Sequence, residues 1–289
     1  MNFLEVAILR WYSANLTASF SAGPFPFGLA FDGENIWVAN NSGNNVTKLR
    51  ACDGATLGTF AVGTFPEGVA FDGANIWVTN FGSDNVTMLR ASDGTSLGTF
   101  GAGTGPEGVA FDGANIWVAS SGSNNVTKLR ASDGTNLGTF GVGNQPRSLA
   151  FDGEHIWVTN RLSNNVTKLR ASNGTNLGSF AVGTFPLGVA FDGTHIWVTN
   201  ANDNSVTKLR ASDGASLGTF GVGTGPRAVV FDGARVWIAN TLSNNVTKLR
   251  ASDGANLGTF AVGTAPENMA FDGANIWVSN SASNTLSKL

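Results

Sequence analysis

The stretch GVAFDGANIWVTN, Gly68 to Asn80, decides the fold, because the chain repeats it seven times. Its FDG core starts at Phe31, Phe71, Phe111, Phe151, Phe191, Phe231 and Phe271, so one copy follows the next by 40 residues (31 to 71) with no insertion. Within the stretch, Val69 and Phe71 alternate with Ala70, and Ile76 and Val78 alternate with Trp77 and Thr79. A period of two belongs to a β-strand, whose successive side chains point to opposite faces. Both alternating sets are apolar or nearly so, as a sheet covered on both faces requires. Asp72-Gly73 separates the two runs, and glycine supplies the positive φ of a tight hairpin turn.

Each copy continues outward through a third run, such as Asn85 to Ala91 (NVTMLRA), a second turn at Asp93-Gly94, and a fourth run, Leu97 to Gly103 (LGTFGAG). No copy carries a helical apolar stripe. A linear stack of such units would need atypical polar repeats at its ends, and none of these copies is atypical. A radial arrangement leaves only short, protected edges. The sequence therefore predicts an all-β, seven-bladed β-propeller, a single domain over 1–289. Its blades fall at about 28–63, 68–103, 108–143, 148–183, 188–223, 228–263, and 268–289 completed by 15–22. That last blade has three strands of its own; the fourth is Asn15 to Ala22 (NLTASFSA), with Phe20 in register with Phe60. Such a strand ties the ring and pairs an otherwise open sheet edge. Residues 6–10 (VAILR) also align with 46–50 (VTKLR), in competition with 286–289 for the third strand of the last blade. The slot is assigned to 286–289.

Composition agrees with strands and tight turns. The 289 residues are 42% hydrophobic, with 8 Trp and 20 Phe, ample for a packed core. Only 13% are charged, about half the usual share. The net charge is −3 and basic residues recur once or twice per repeat. Nucleic-acid binding needs a concentrated basic footprint, so none is expected. No run approaches the roughly 18 to 20 apolar residues of a membrane span, and the expected state is a monomer without membrane insertion. Cys52 aligns with Ser92, Ser132 and Ser172 and reads as a drifted serine rather than a reactive thiol. MNFLEVAIL lacks the basic start and small-residue cleavage site of a signal peptide, so any export signal is expected upstream.

FDGANIWVTNFGSDNVTMLRASDG, followed by GTGPEGVAFDG, resembles the YVTN-type repeat of bacterial β-propellers. It is also similar to the repeats of NHL proteins and of streptogramin (virginiamycin B) lyases, over essentially the whole chain from Val6 onward. The resemblance implies a propeller and, with low charge and abundant Thr and Asn, an exported bacterial protein. A lyase of the streptogramin type would imply a histidine with carboxylates and a magnesium ion at the funnel. The two histidines, His155 and His195, each replace the Asn of a constant turn (compare Asn75 and Asn115). They fall on the face away from the varied loops, and no histidine–carboxylate motif carries over. General acid–base chemistry then lacks its usual player, and no nucleophile elbow or phosphate-cradling loop is found. No catalytic residue, metal or cofactor is assigned.

The copies differ mainly on one face. In a four-stranded blade the first-to-second and third-to-fourth turns open on one side, and these carry the uniform Asp-Gly pairs. The other connections open opposite and carry the differences. One varied ring is Phe27, Glu67, Glu107, Arg147, Leu187, Arg227 and Glu267, expected to precede the innermost strand and line the funnel mouth. A second includes Phe81 and Arg161, and a third includes Phe25, Phe65 and Phe185. Loops on a rigid scaffold carry specificity, so these rings are the candidate surface for a protein, peptide or small-molecule ligand, with the phenylalanines as apolar contacts and the Glu and Arg residues as polar anchors. The alternatives are free drift of exposed loops, a magnesium-dependent lyase, and a recently amplified or engineered repeat with no evolved ligand. Asp32, Asp72 and their equivalents are read as turn-shaping residues. Arg50, Arg90, Arg130, Arg170, Arg210 and Arg250 are read as partners of turn carboxylates. The Asn-Val-Thr triplets at Asn45, Asn85, Asn125, Asn165 and Asn245 match a glycosylation acceptor by coincidence of the repeat.

Overall fold

The computed structural model describes residues 18–289. They form seven separate four-stranded sheets, each antiparallel with strands in chain order except the last. Blade one shows the pattern: an inner strand Pro26–Phe31, then Asn35–Asn40, Asn45–Arg50 and an outer strand Thr56–Ala61. Blade seven consists of Pro266–Phe271, Ile276–Asn280, Thr285–Lys288 and, outermost, Ala18–Ser21. Phe20 stands opposite Leu286, as Phe60 stands opposite Val46, so the N-terminal strand closes the ring in the repeat register. The third slot belongs to Thr285–Lys288, as expected; residues 6–10 and 15–17 lie outside the described residues.

The alternation in IWV explains why blades stack around an axis. Trp37, Ala39 and Val46 on one face of blade one pack with Val69, Ile76, Val78 and Leu89 of blade two. The opposite face of blade one, Leu29, Ile36, Val38 and Leu49, packs against Trp277, Leu286 and Phe20 of blade seven. Every interface thus sets a tryptophan face on an isoleucine–valine–leucine face, and truncating such a tryptophan costs about 3–5 kcal/mol.

The Asp-Gly turns do more than reverse the chain. Asp32 Oδ1 accepts from the backbone N–H of Glu34 and Asn35, while Oδ2 accepts from the indole of Trp37 at 2.8 Å. The same indole bond recurs at Asp72, Asp112, Asp152, Asp192, Asp232 and Asp272. Each turn carboxylate therefore satisfies the one polar atom of a buried tryptophan. The lysines of the third strand make a second, unforeseen ring. Lys48 lies 5.1 Å from the Trp37 ring centroid and donates to the carbonyl of Ala91 in the next blade. Lys128, Lys168 and Lys208 repeat this toward Ala171, Ala211 and Ala251. Lys288 donates to Ala51 and so staples blade seven to blade one.

Candidate functional site

The varied loops open on the face opposite the Asp-Gly turns, and they are held in place blade to blade. Residue 25 and its equivalents take a left-handed conformation: Phe25 (φ 55), Phe65 (φ 50), Gln145 (φ 52), Phe185 (φ 58) and Ala265 (φ 55), with Gly105 and Gly225 alike. Their backbone N–H groups are each clasped by a side chain from the preceding blade. Asn284 accepts from Phe25, Asn44 from Phe65 and Asn164 from Phe185, at 2.8–2.9 Å. These clasps fix where the following proline and inner strand begin.

The funnel ring sits differently from the expectation. Phe27, Glu67 and their equivalents are the second residues of the inner strands, and the pairing shifts register just there, between Pro66 and Val69 for instance. A bulge of this kind re-aims a side chain, here toward the axis. The next position is usually glycine because the neighbouring inner strand passes so close. A Cβ at Gly68 would lie 2.5 Å from the carbonyl oxygen of Glu107. Thr79 donates to that carbonyl, and Thr199 to that of Arg227, pinning the ring's backbone.

The structure brings all seven ring residues around one axial cavity of about 200 Å³. Below the ring it is lined by Leu29, Val69, Val109, Leu149, Val189 and Val229, a charged collar over an apolar shaft. The collar is largely paired with itself. Arg147 reaches Glu67 at 3.1 Å and also holds Glu107. Arg227 holds Glu267 at 2.7 Å, and Ser281 donates to the same carboxylate. Both guanidinium groups lie 5.3 Å from the ring centroid of Phe27. Burial pushes the Glu67 carboxyl above its usual range; Arg147 opposes this and Glu107 reinforces it. Burial likewise raises Glu267, against the pull of Arg227. For Arg147 burial works against the charge, but Glu67 and Glu107 outweigh it and the pKa rises. For Arg227 burial and the nearby Arg147 prevail over Glu267, and the pKa falls.

The sequence placed Glu67, Glu107, Arg147 and Arg227 as anchors for a ligand; in the structure their first partners lie within the ring itself, Arg147 with Glu67 and Glu107, and Arg227 with Glu267. Leu187, Glu107 and Glu267 are buried rather than displayed on the rim. Arg161 is partly covered, bonded to Gln145 at 2.6 Å, 3.9 Å from Glu107 and over the ring of Phe185. Exposed apolar side chains surround this collar: Phe25, Phe65 and Phe81, with Leu162 and Leu242, which the sequence did not single out. Their signal was present, since both follow a varied loop residue and stand where other copies carry Ser42, Gly82 and Gly122.

On the other face, His155 and His195 face Asp152 and Asp192 across their turns at 3.2 Å. Arg50, Arg90, Arg130, Arg210 and Arg250 pair with the aspartate three residues on. The amide of Asn45 is engaged, donating to Gly43 and accepting from Asn40. Among the described residues no group of three or more His, Cys, Asp or Glu side chains is gathered as a metal would need.

No family model matches the chain, and no curated protein matches it. Solved structures do. The hydrazine synthase of Kuenenia stuttgartiensis aligns with a TM-score of 0.83 at 20% identity, covering 92% of this chain and 95% of that one. A streptogramin B lyase aligns at 0.81 and 17%, covering 94% and 96%. The virginiamycin B lyase from Staphylococcus aureus aligns at 0.81 and 17%, covering 94% and 98%. The likeness is one of fold. The chain is a seven-bladed β-propeller with a distant similarity to virginiamycin B lyases, and one such scaffold hosts many functions.

Proposed function

We propose that this propeller is a non-enzymatic binding protein that takes a polypeptide partner on the loop face around the funnel. One observation carries the reading. Phe25, Phe65 and Phe185 stand at left-handed positions, where a side chain with a Cβ is disfavoured and a bulky one is an outlier. Gly105 and Gly225 occupy the same place without that cost. Phe65 is nonetheless 52% exposed and gains little from its own fold. Strain kept at an exposed aromatic residue accords with a role outside the chain. Aromatic anchors on rigid loops are what a partner surface uses.

The paired collar supports a surface rather than a deep pocket. About 200 Å³ is below the ~300–1,000 Å³ of ordinary ligand sites. The lyase and the synthase are likenesses of fold alone. Selection of displayed peptides on the immobilised protein tests the reading. Enriched peptides are expected to lose binding to the Phe25→Ser, Phe65→Ser, Phe185→Ser triple variant, and to keep it with Arg50→Ala, Arg90→Ala, Arg130→Ala on the opposite face. Peptides that bind both variants alike would refute it.

A further inference from the structure

The two arginines of the collar are not equivalent. Arg147 carries two carboxylates, Glu67 and Glu107, and is 12% exposed. Arg227 carries one, Glu267, which meets only its Nη1, and it is 30% exposed. The Nε of Arg227 is buried and has no hydrogen-bond partner among the described residues. A buried donor left unpaired is costly, and guanidinium is built to receive a carboxylate along one edge through two parallel bonds. Beside this group lies Phe27, and Phe27 stacks on the half-exposed Phe25 at 6.4 Å between centroids. An aromatic path therefore runs from the surface to a cation with one side vacant of partners.

We infer that Arg227, with Phe27 and Phe25 beside it, is a binding site for a carboxylate carried on an apolar or aromatic body. The carboxylate pairs with the Nε side of the guanidinium and the body lies along the two phenylalanines. The shared chemistry has two sources, a free aryl carboxylate or the C-terminus of a polypeptide ending in an aromatic residue. The second rests on the partner reading above; the first stands without it.

Calorimetric titration of the full chain with phenylacetate, and with phenylacetamide as its uncharged twin, tests the site. Phenylacetate is expected to bind at least about tenfold more tightly than phenylacetamide, because only the ion completes the guanidinium. Arg227→Leu is expected to abolish that preference. Glu267→Gln removes the competing carboxylate and is expected to tighten phenylacetate binding several-fold, so a poorly folding Arg227 variant does not leave the question open. A hexapeptide ending in phenylalanine, as free acid and as amide, separates the sources. Loss on amidation supports a chain terminus, and indifference to amidation with phenylacetate still bound supports a small free carboxylate. Phenylacetate that fails to bind, matches phenylacetamide, or is unmoved by Glu267→Gln overturns the inference. Phenylacetate binding that persists while displayed peptides ignore the triple serine variant sinks the partner reading alone.

Discussion

The two faces of this propeller are made from the same repeat and behave as opposites. On the face of the Asp-Gly turns, the turn aspartates have a fixed employment within their own blade: Asp32 and its equivalents hold a tryptophan indole, and Asp53, Asp93, Asp133, Asp213 and Asp253 hold an arginine. On the loop face, charged groups reach across blades, as Arg147 does to Glu67, and aromatic side chains stand exposed at strained positions. One face is spent on stability, where uniformity is required because each blade must fit the next. The other is free to differ, since the Asn clasps hold its loops whatever side chain they display.

That contrast can be broken or sharpened by substitution. The largest effect is expected in the shared core: Trp157→Ala should lower unfolding free energy by about 3–5 kcal/mol in a denaturant titration. Next comes Asp192→Ala, which strips the Trp197 indole and the His195 N–H of their acceptor and should cost about 1–3 kcal/mol. Its pH signature is fixed by sign. Asp192 is held below the ordinary 3.8: burial is the largest single influence and pushes it up, but the bonds from the Trp197 indole, from the backbone of His195 and Thr194 and from the His195 side chain together outweigh it. Its contribution is complete above that value and lost as pH falls through the lower folded-state value. The variant should therefore lose less stability than the wild type on acidification.

The collar should respond the other way. Glu67 is raised above 4.5 by burial, so its contribution is complete below that value and fades as pH rises through the raised one. Glu67→Gln should flatten that decline, seen as a shallower drift of urea midpoint from about pH 4 to about pH 8. The smallest effect on stability is expected at the loop tip. Phe65→Gly relieves the left-handed strain but adds backbone freedom, and the two should leave unfolding free energy within about 1 kcal/mol of wild type. Binding of selected peptides should nonetheless weaken.

How much of this was legible follows the same division. FDG, the Asp-Gly turns and the alternation in NIWV reveal strands, turns and ring, because local periodicity and a fixed repeat are all those features require. The closing strand was legible through the register of Phe20. The lysine ring was not: Lys48 between Thr47 and Leu49 reads as a solvent-facing residue until the neighbouring turn is seen to bring it a carbonyl. Met88, an apolar residue in the same slot, was the available hint that the slot is buried. In the collar the positions were legible and the pairing was not. Arg147 and Glu67 are 80 residues apart, and nothing in a one-dimensional repeat says that a side chain will cross two blades to find its partner.

Amide hydrogen exchange of the protein with and without a saturating selected peptide tests the central claim most directly. The account predicts added protection in the segments 63–67 and 183–187 of the loop face, with the turns at 90–95 and 210–215 unchanged. Protection confined to the Asp-Gly turns, with the loop face indifferent to the peptide, would contradict it.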